Sequence, residues 1–106
     1  MKTFKGISKR YLKGDKVCKV TFRLPAEAVK GAKTAYLVGD FNDWNEKATP
    51  MTFLKDGSVK AVLKLEAGKE YKYRFLIDGE RWENDWRADR YEPSPMAWED
   101  NSVVSV

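Results

Sequence analysis

The chain has 106 residues, 42% hydrophobic and 34% charged, which fits one folded domain with a single core and no deep catalytic cleft. It holds one cysteine and no histidine, which excludes an internal disulfide, a tetrahedral zinc site and a Ser-His or Cys-His nucleophile pair. The net charge of +4 is uneven: residues 1–33 carry ten Lys/Arg against Asp15 and Glu27, and the remainder carries ten against fourteen Asp/Glu.

In chain order, the first clear element is 17–24, where Cys18, Val20, Phe22 and Leu24 alternate with Lys19, Thr21 and Arg23. Period two predicts a strand with one wet face, and Cys18 reads as a small core hydrophobe. The lysines of this basic third have no aromatic residues between them. They read as a solvated, positively charged edge that discourages strand-to-strand aggregation, and not as a nucleic-acid surface. Residues 25–33 are the only helical candidate, short and interrupted by Gly31. Residues 34–41 form a more continuously apolar strand, expected to be central. Residues 42–51 are a polar loop carrying Trp44 and Pro50.

Asp56-Gly57 and Asp78-Gly79 are hairpin signals, because a type I′ turn needs positive φ at both central residues. Between and before them lie two further alternating strands, 59–65 and 71–77, with Ala67-Gly68 marking the reversal that joins them. A long connection, 83–100, carries Trp86, Tyr91, Pro93, Pro95 and Trp98, and 101–106 closes the chain as a last strand. Strands at this spacing predict an all-β fold, an immunoglobulin-like antiparallel β-sandwich forming one domain over 1–106. Cys18, Val20, Phe22, Leu63, Tyr73 and Phe75 are the expected core. No apolar run approaches the ~20 residues of a membrane span, and residues 1–6 lack the apolar stretch of a secretory leader. A cytoplasmic location and no membrane partner are the expectation.

None of the four tryptophans falls in the alternating strands. An exposed indole suits a sugar, whose axial C–H face is apolar and matches an electron-rich ring, while a few polar groups fix the orientation of the hydroxyls. Arg74 points opposite Tyr73, Phe75 and Ile77, and so away from the core, where its fork of donors can meet sugar oxygens. Glu80, Glu83, Asp85 and Asp89 lie among Arg81, Arg87 and Arg90. A glycosidase needs two carboxyls about 5–10 Å apart across a cleft; these acids read instead as a solvated, salt-bridged loop. The chain is expected not to be an enzyme and to need no metal or cofactor.

Taken together, Gly39-Asp40-Phe41-Asn42-Asp43-Trp44, then Tyr71-Lys72-Tyr73-Arg74-Phe75-Leu76-Ile77-Asp78-Gly79-Glu80-Arg81-Trp82, then Asn101-Ser102-Val103-Val104 resemble the carbohydrate-binding module of family 48. That family includes the glycogen-binding domain of AMP-activated protein kinase β subunits and the early-set N-terminal domain of isoamylases. The resemblance covers about 17–106. It implies non-catalytic binding of α-1,4-glucan, with Trp44 and Trp82 as the stacking tryptophans, Arg74 where the family most often has lysine, and Asn101 bonding sugar hydroxyls. Trp86 and Trp98 are additional candidate contacts. The Glu80-Arg81-Trp82 spacing is one residue longer than in the kinase form, and Ala97 stands near the large apolar residue those domains carry in the last loop. The ligand is left open among glycogen, starch, a maltooligosaccharide and a cyclodextrin-like ring. The alternative is an adaptor of the same fold that docks on a glycogen-metabolising enzyme or a kinase without touching sugar.

Overall fold

A computed structural model describes residues 6–93 and 100–106. Nine strands among them form two antiparallel sheets. The first has the order β1 (Ser8–Tyr11), β2 (Val17–Leu24), β5 (Val59–Glu66), β4 (Thr52–Phe53). The second has the order β3 (Ala35–Gly39), β6 (Glu70–Ile77), β9 (Asp100–Ser105), β8 (Arg90–Pro93), with β7 (Arg81–Glu83) also paired to β6. This is the all-β sandwich the alternating pattern predicts. The helical candidate at 25–33 is only a 3-10 turn, Ala26–Val29, and Gly31 follows it at φ +78°.

Apolar faces of both sheets meet in one core. Phe22 and Tyr73 pack edge to face at 4.9 Å, Tyr73 meets Phe75 at 5.8 Å, and Phe41 folds in beside Phe22 at 5.5 Å. Cys18, Val20, Leu24, Leu37, Val59 and Val104 complete the sealed interior. Of the expected core residues only Leu63 stays partly exposed, packed against the cluster from its margin. Burying one such aromatic contributes roughly 1.5–3 kcal/mol, so the sheets are held face to face mainly by these rings.

The margins of the sandwich are tied separately. On one side Lys9 Nζ reaches Asp89 Oδ2 at 2.6 Å, joining β1 to the segment that precedes β8. On the other, the Leu37 N–H donates to Thr49 O and the Met51 N–H to Ala35 O. The chain thus runs beside β3 before crossing to the first sheet as β4.

Four short strands, β1, β4, β7 and β8, lie where the sequence shows no alternation, and their pairing partners define them. Three further expectations are corrected. The apolar 34–41 strand is not central: β3 stands at the end of the second sheet's strand order. The lysine-bearing 17–24 strand is not an edge: β2 lies inside the first sheet, between β1 and β5. Nor is β6 wet on its outer side beyond Lys72, because Arg74 and Leu76 are buried as well as Tyr73, Phe75 and Ile77.

The hairpin at Asp78-Gly79 has the expected geometry, with φ +53° and +71°. The Asp78 carboxylate accepts the Lys33 and Thr34 N–H groups at 2.7 and 3.0 Å, which hold it below the usual carboxylate range. At Asp56-Gly57 only Gly57 has positive φ, +89°. There the turn is closed by Gly57 N–H to Leu54 O and Leu54 N–H to Ser58 O.

Candidate functional site

The outer face of the second sheet is defined by register. Tyr73 pairs with Ser102, Leu76 with Trp82, Val38 with Arg74, and Tyr36 with Leu76. Tyr73, Phe75, Ile77 and Val104 belong to the core, so Arg74, Leu76, Val38, Tyr36, Trp82, Val103 and Asn101 point the other way. Three of the four principal sequence-predicted residues, Arg74, Trp82 and Asn101, therefore share one face. Continuing the β6–β9 register past Tyr73–Ser102 brings Arg74 level with Asn101.

Their exposures differ. Trp82 is 37% exposed, whereas Arg74 is 8% exposed. The expectation that Arg74 faces away from the core holds, but it lies in a largely apolar layer with Val38 and Leu76, not in open solvent. Asn101 is buried at the start of β9.

Trp44 follows β3, in a loop built by four neighbours. A Cβ on Gly39 would stand 2.5 Å from Lys72 O and 2.7 Å from Tyr73 Cβ, so only glycine lets the chain cross β6 this closely. Asn42 then clamps the loop: its amide donates to Leu37 O and Thr49 Oγ1 at 2.9 and 3.0 Å, and its Oδ1 accepts the Gly39 N–H at 3.1 Å. Phe41 turns inward to the core. Asp43 and Trp44 follow at φ +56° and +58°, a conformation unusual for bulky side chains.

Two hydrogen bonds hold Trp44 there. Its N–H donates to Gly39 O at 2.9 Å and its indole Nε1–H to Asp40 Oδ1 at 2.8 Å. The second oxygen of Asp40 accepts the Lys72 N–H at 2.8 Å. One carboxylate thus anchors the indole to the end of the β3–β6 ladder, leaving the ring half-buried and outside the core cluster.

The residues on either side of Asn101 are held by hydrogen bonds. The Asn84 amide donates to Asp100 O at 2.7 Å, and its Oδ1 accepts Ser102 Oγ–H at 2.9 Å. The Asp85 N–H donates to Ser102 Oγ, and the Asp85 carboxylate accepts Tyr73 O–H at 2.6 Å and Arg87 N–H at 2.9 Å. Asp85 is 1% exposed, which corrects the reading of this acid as part of a solvated loop. Burial pushes its carboxyl above the usual range, and burial, with the Asp85 charge beside it, also raises the Tyr73 phenol.

Trp86 is exposed, and its indole donates to Glu83 Oε1 at 3.2 Å. Glu83 pairs with Phe75, so it lies on the opposite side of β7 from Trp82. Trp98 lies outside the described residues. Sequence reasoning read 34–41 as continuously apolar, but missed that Leu76 joins Tyr36 and Val38 in an apolar floor, because a wet outer face was expected on the 71–77 strand. It also missed the positioning roles of Gly39, Asp40 and Asn42, although these stand in the same short block as Trp44. No cluster of three or more potential metal-ligating side chains occurs among the described residues.

The outer face of this two-sheet sandwich thus gathers an indole, a guanidinium and an amide over an apolar floor. The family model for the glycogen recognition site of AMP-activated protein kinase matches residues 19–102, and the chain belongs to that family. Its match spans every strand of the site except the last residues of β9. No curated protein matches the chain.

Proposed function

We propose that this domain binds α-1,4-glucan chains on the outer face of the second sheet, without chemistry of its own. Family membership supports carbohydrate recognition in general. The finer reading rests above all on one observation: register gathers Arg74, Trp82 and Asn101 on one face, with an anchored Trp44 beside the end of the same ladder. The two indoles stack on the apolar faces of glucose units, and Arg74 and Asn101 bond the hydroxyls. Since the anchoring bonds exist before ligand arrives, little side-chain freedom is lost at Trp44 on binding.

The face is shallow and the ligand flexible, so the expected affinity is high-micromolar to millimolar, roughly −4 to −6 kcal/mol. Isothermal titration with maltoheptaose tests this. Heat from the wild type, absent in a folded Trp44→Ala variant, supports the reading. No heat from a folded wild type removes it and favours an adaptor that docks on a glycogen-metabolising enzyme or a kinase.

A further inference from the structure

The first sheet also has an outer face, on the far side of the sandwich, and its register sets out charge in rows. Arg10 pairs with Lys19 and Lys19 with Lys64, so three cations stand abreast on β1, β2 and β5. Two residues along, Ser8, Thr21 and Val62 form a row of uncharged side chains; two further, Arg23 pairs with Lys60, and the Arg23 guanidinium reaches back to donate to Ser8 Oγ at 2.5 Å and Gly6 O at 3.0 Å. Arg10, Lys19, Lys60 and Lys64 are exposed and make no ion pair among the described residues. Glu66, the acid that shares this face, is engaged by Lys69 at 3.0 Å.

Like charges directly opposite in a sheet are destabilising. Protection of a free edge does not account for them, because β2 and β5 are the inner strands. The spacing fits a particular occupant. The two cation rows lie four residues apart along β2, about 13 Å, and an α-helix with its side chains is about 10–12 Å across. A helix lying over the neutral row sets its apolar stripe on Val62, which is 43% exposed. Carboxylates bordering that stripe at i, i+3 and i+4 are about 5–6 Å apart, close to the strand spacing of about 4.8 Å. At the β1 end lies a shallow depression of ≈ 170 Å³, lined by Ser8, Lys9, Arg10, Lys19 and Thr21. No aromatic residue stands in these rows, so the base stacking that serves single-stranded nucleic acid is missing.

We propose that an acidic amphipathic helix of a protein partner docks across the strands of the first sheet, flanked by Arg10, Lys19 and Lys64 on one side and Lys60 on the other. This surface is independent of the glucan face, and both can be occupied at once.

The test uses an Ala-rich helical peptide of about 14 residues, about 21 Å long, with one Leu stripe bordered on both sides by Glu. It is titrated into the isotopically labelled chain. Amide shifts concentrated on β1, β2 and β5 are expected. Binding should weaken at least about tenfold in Lys19→Glu/Lys64→Glu and severalfold in the milder Lys19→Gln/Lys64→Gln. An unchanged second-sheet spectrum establishes that the variants fold, and the milder pair carries the test if the first does not. Equal binding of the same peptide with Gln for Glu, or of a sequence-scrambled peptide, overturns the proposal. So does tighter binding to a DNA duplex or to phosphatidylserine-rich vesicles.

Discussion

The two outer faces of the sandwich contrast in how they treat charge. On the second sheet, Lys72 meets Glu92 at 3.3 Å, and Arg90 bonds both Glu70 and Glu92, so cations at its margin are matched while its centre is apolar and closed. Arg90 accordingly holds the Glu70 carboxyl below its ordinary value. On the first sheet the cations stand bare and side by side. The two proposals follow this contrast: a neutral ligand that stacks on one surface, an anionic one that pairs on the other. Both sheets share one core, so the difference lies in the outward residues: Val38, Leu76 and Val103 on the second sheet, Lys19, Lys60 and Lys64 on the first.

Perturbing the shared core should damage both faces. Phe75→Ala is expected to cost about 3–5 kcal/mol, as for other buried Phe residues, read by denaturant unfolding. A loss below about 1 kcal/mol would mean the sheets are not held by these rings. Next in size, Gly39→Ala forces a methyl group against Lys72 O and should cost about 1–3 kcal/mol. It should also weaken maltoheptaose binding while leaving the first-sheet amide spectrum unchanged. Equal disturbance of both sheets would show that the loop does not serve one face alone.

Asp85 lies behind the second face and should give that side its own pH dependence. With its carboxyl raised by burial, the folded chain holds this proton more tightly than the unfolded chain does. The stability it supports therefore falls as pH rises from the ordinary value of 3.8 toward the raised one. In Asp85→Asn that component is gone. The wild type should lose ground to the variant on going upward from about pH 4, checked by melting both across that range. A constant gap would mean that Asp85 ionises as freely folded as unfolded.

The smallest effects concern the bare cations. Lys64→Gln removes a like-charge neighbour of Lys19 and should stabilise by about 0.2–1 kcal/mol, with maltoheptaose affinity unchanged. Salt sharpens the same contrast. Glucan binding should be nearly insensitive to it, because a neutral ligand releases no counterions, whereas the acidic helix should dissociate as salt rises.

How legible this was in the sequence varied with the signal. β2 falls on the expected residues because Cys18, Val20, Phe22 and Leu24 alternate without a break. β1, Ser-Lys-Arg-Tyr, has no such pattern and becomes a strand only by pairing with β2. β8 contains Pro93, tolerated because it lies at a sheet edge. Trp44, Arg74, Trp82 and Asn101 could be named from their motifs, and alternation correctly turned Arg74 outward. Its burial could not be read, since periodicity reports which face a side chain takes and not what covers that face. Asp85 was misread for a related reason. A charged residue in a charge-rich connection looks solvated until Tyr73, Arg87 and Ser102, distant or unremarkable in sequence, are found converging on it.

Cys18 is the only thiol in the chain, and it lies in β2, fully enclosed between the two sheets. A thiol reagent can modify it only when the sandwich opens, and the single sulfur makes the product unambiguous. The rate of labelling is therefore a built-in clock for opening of the core. The same protein, without any added label, can report whether glucan on one side or an acidic helix on the other slows that opening, and by how much.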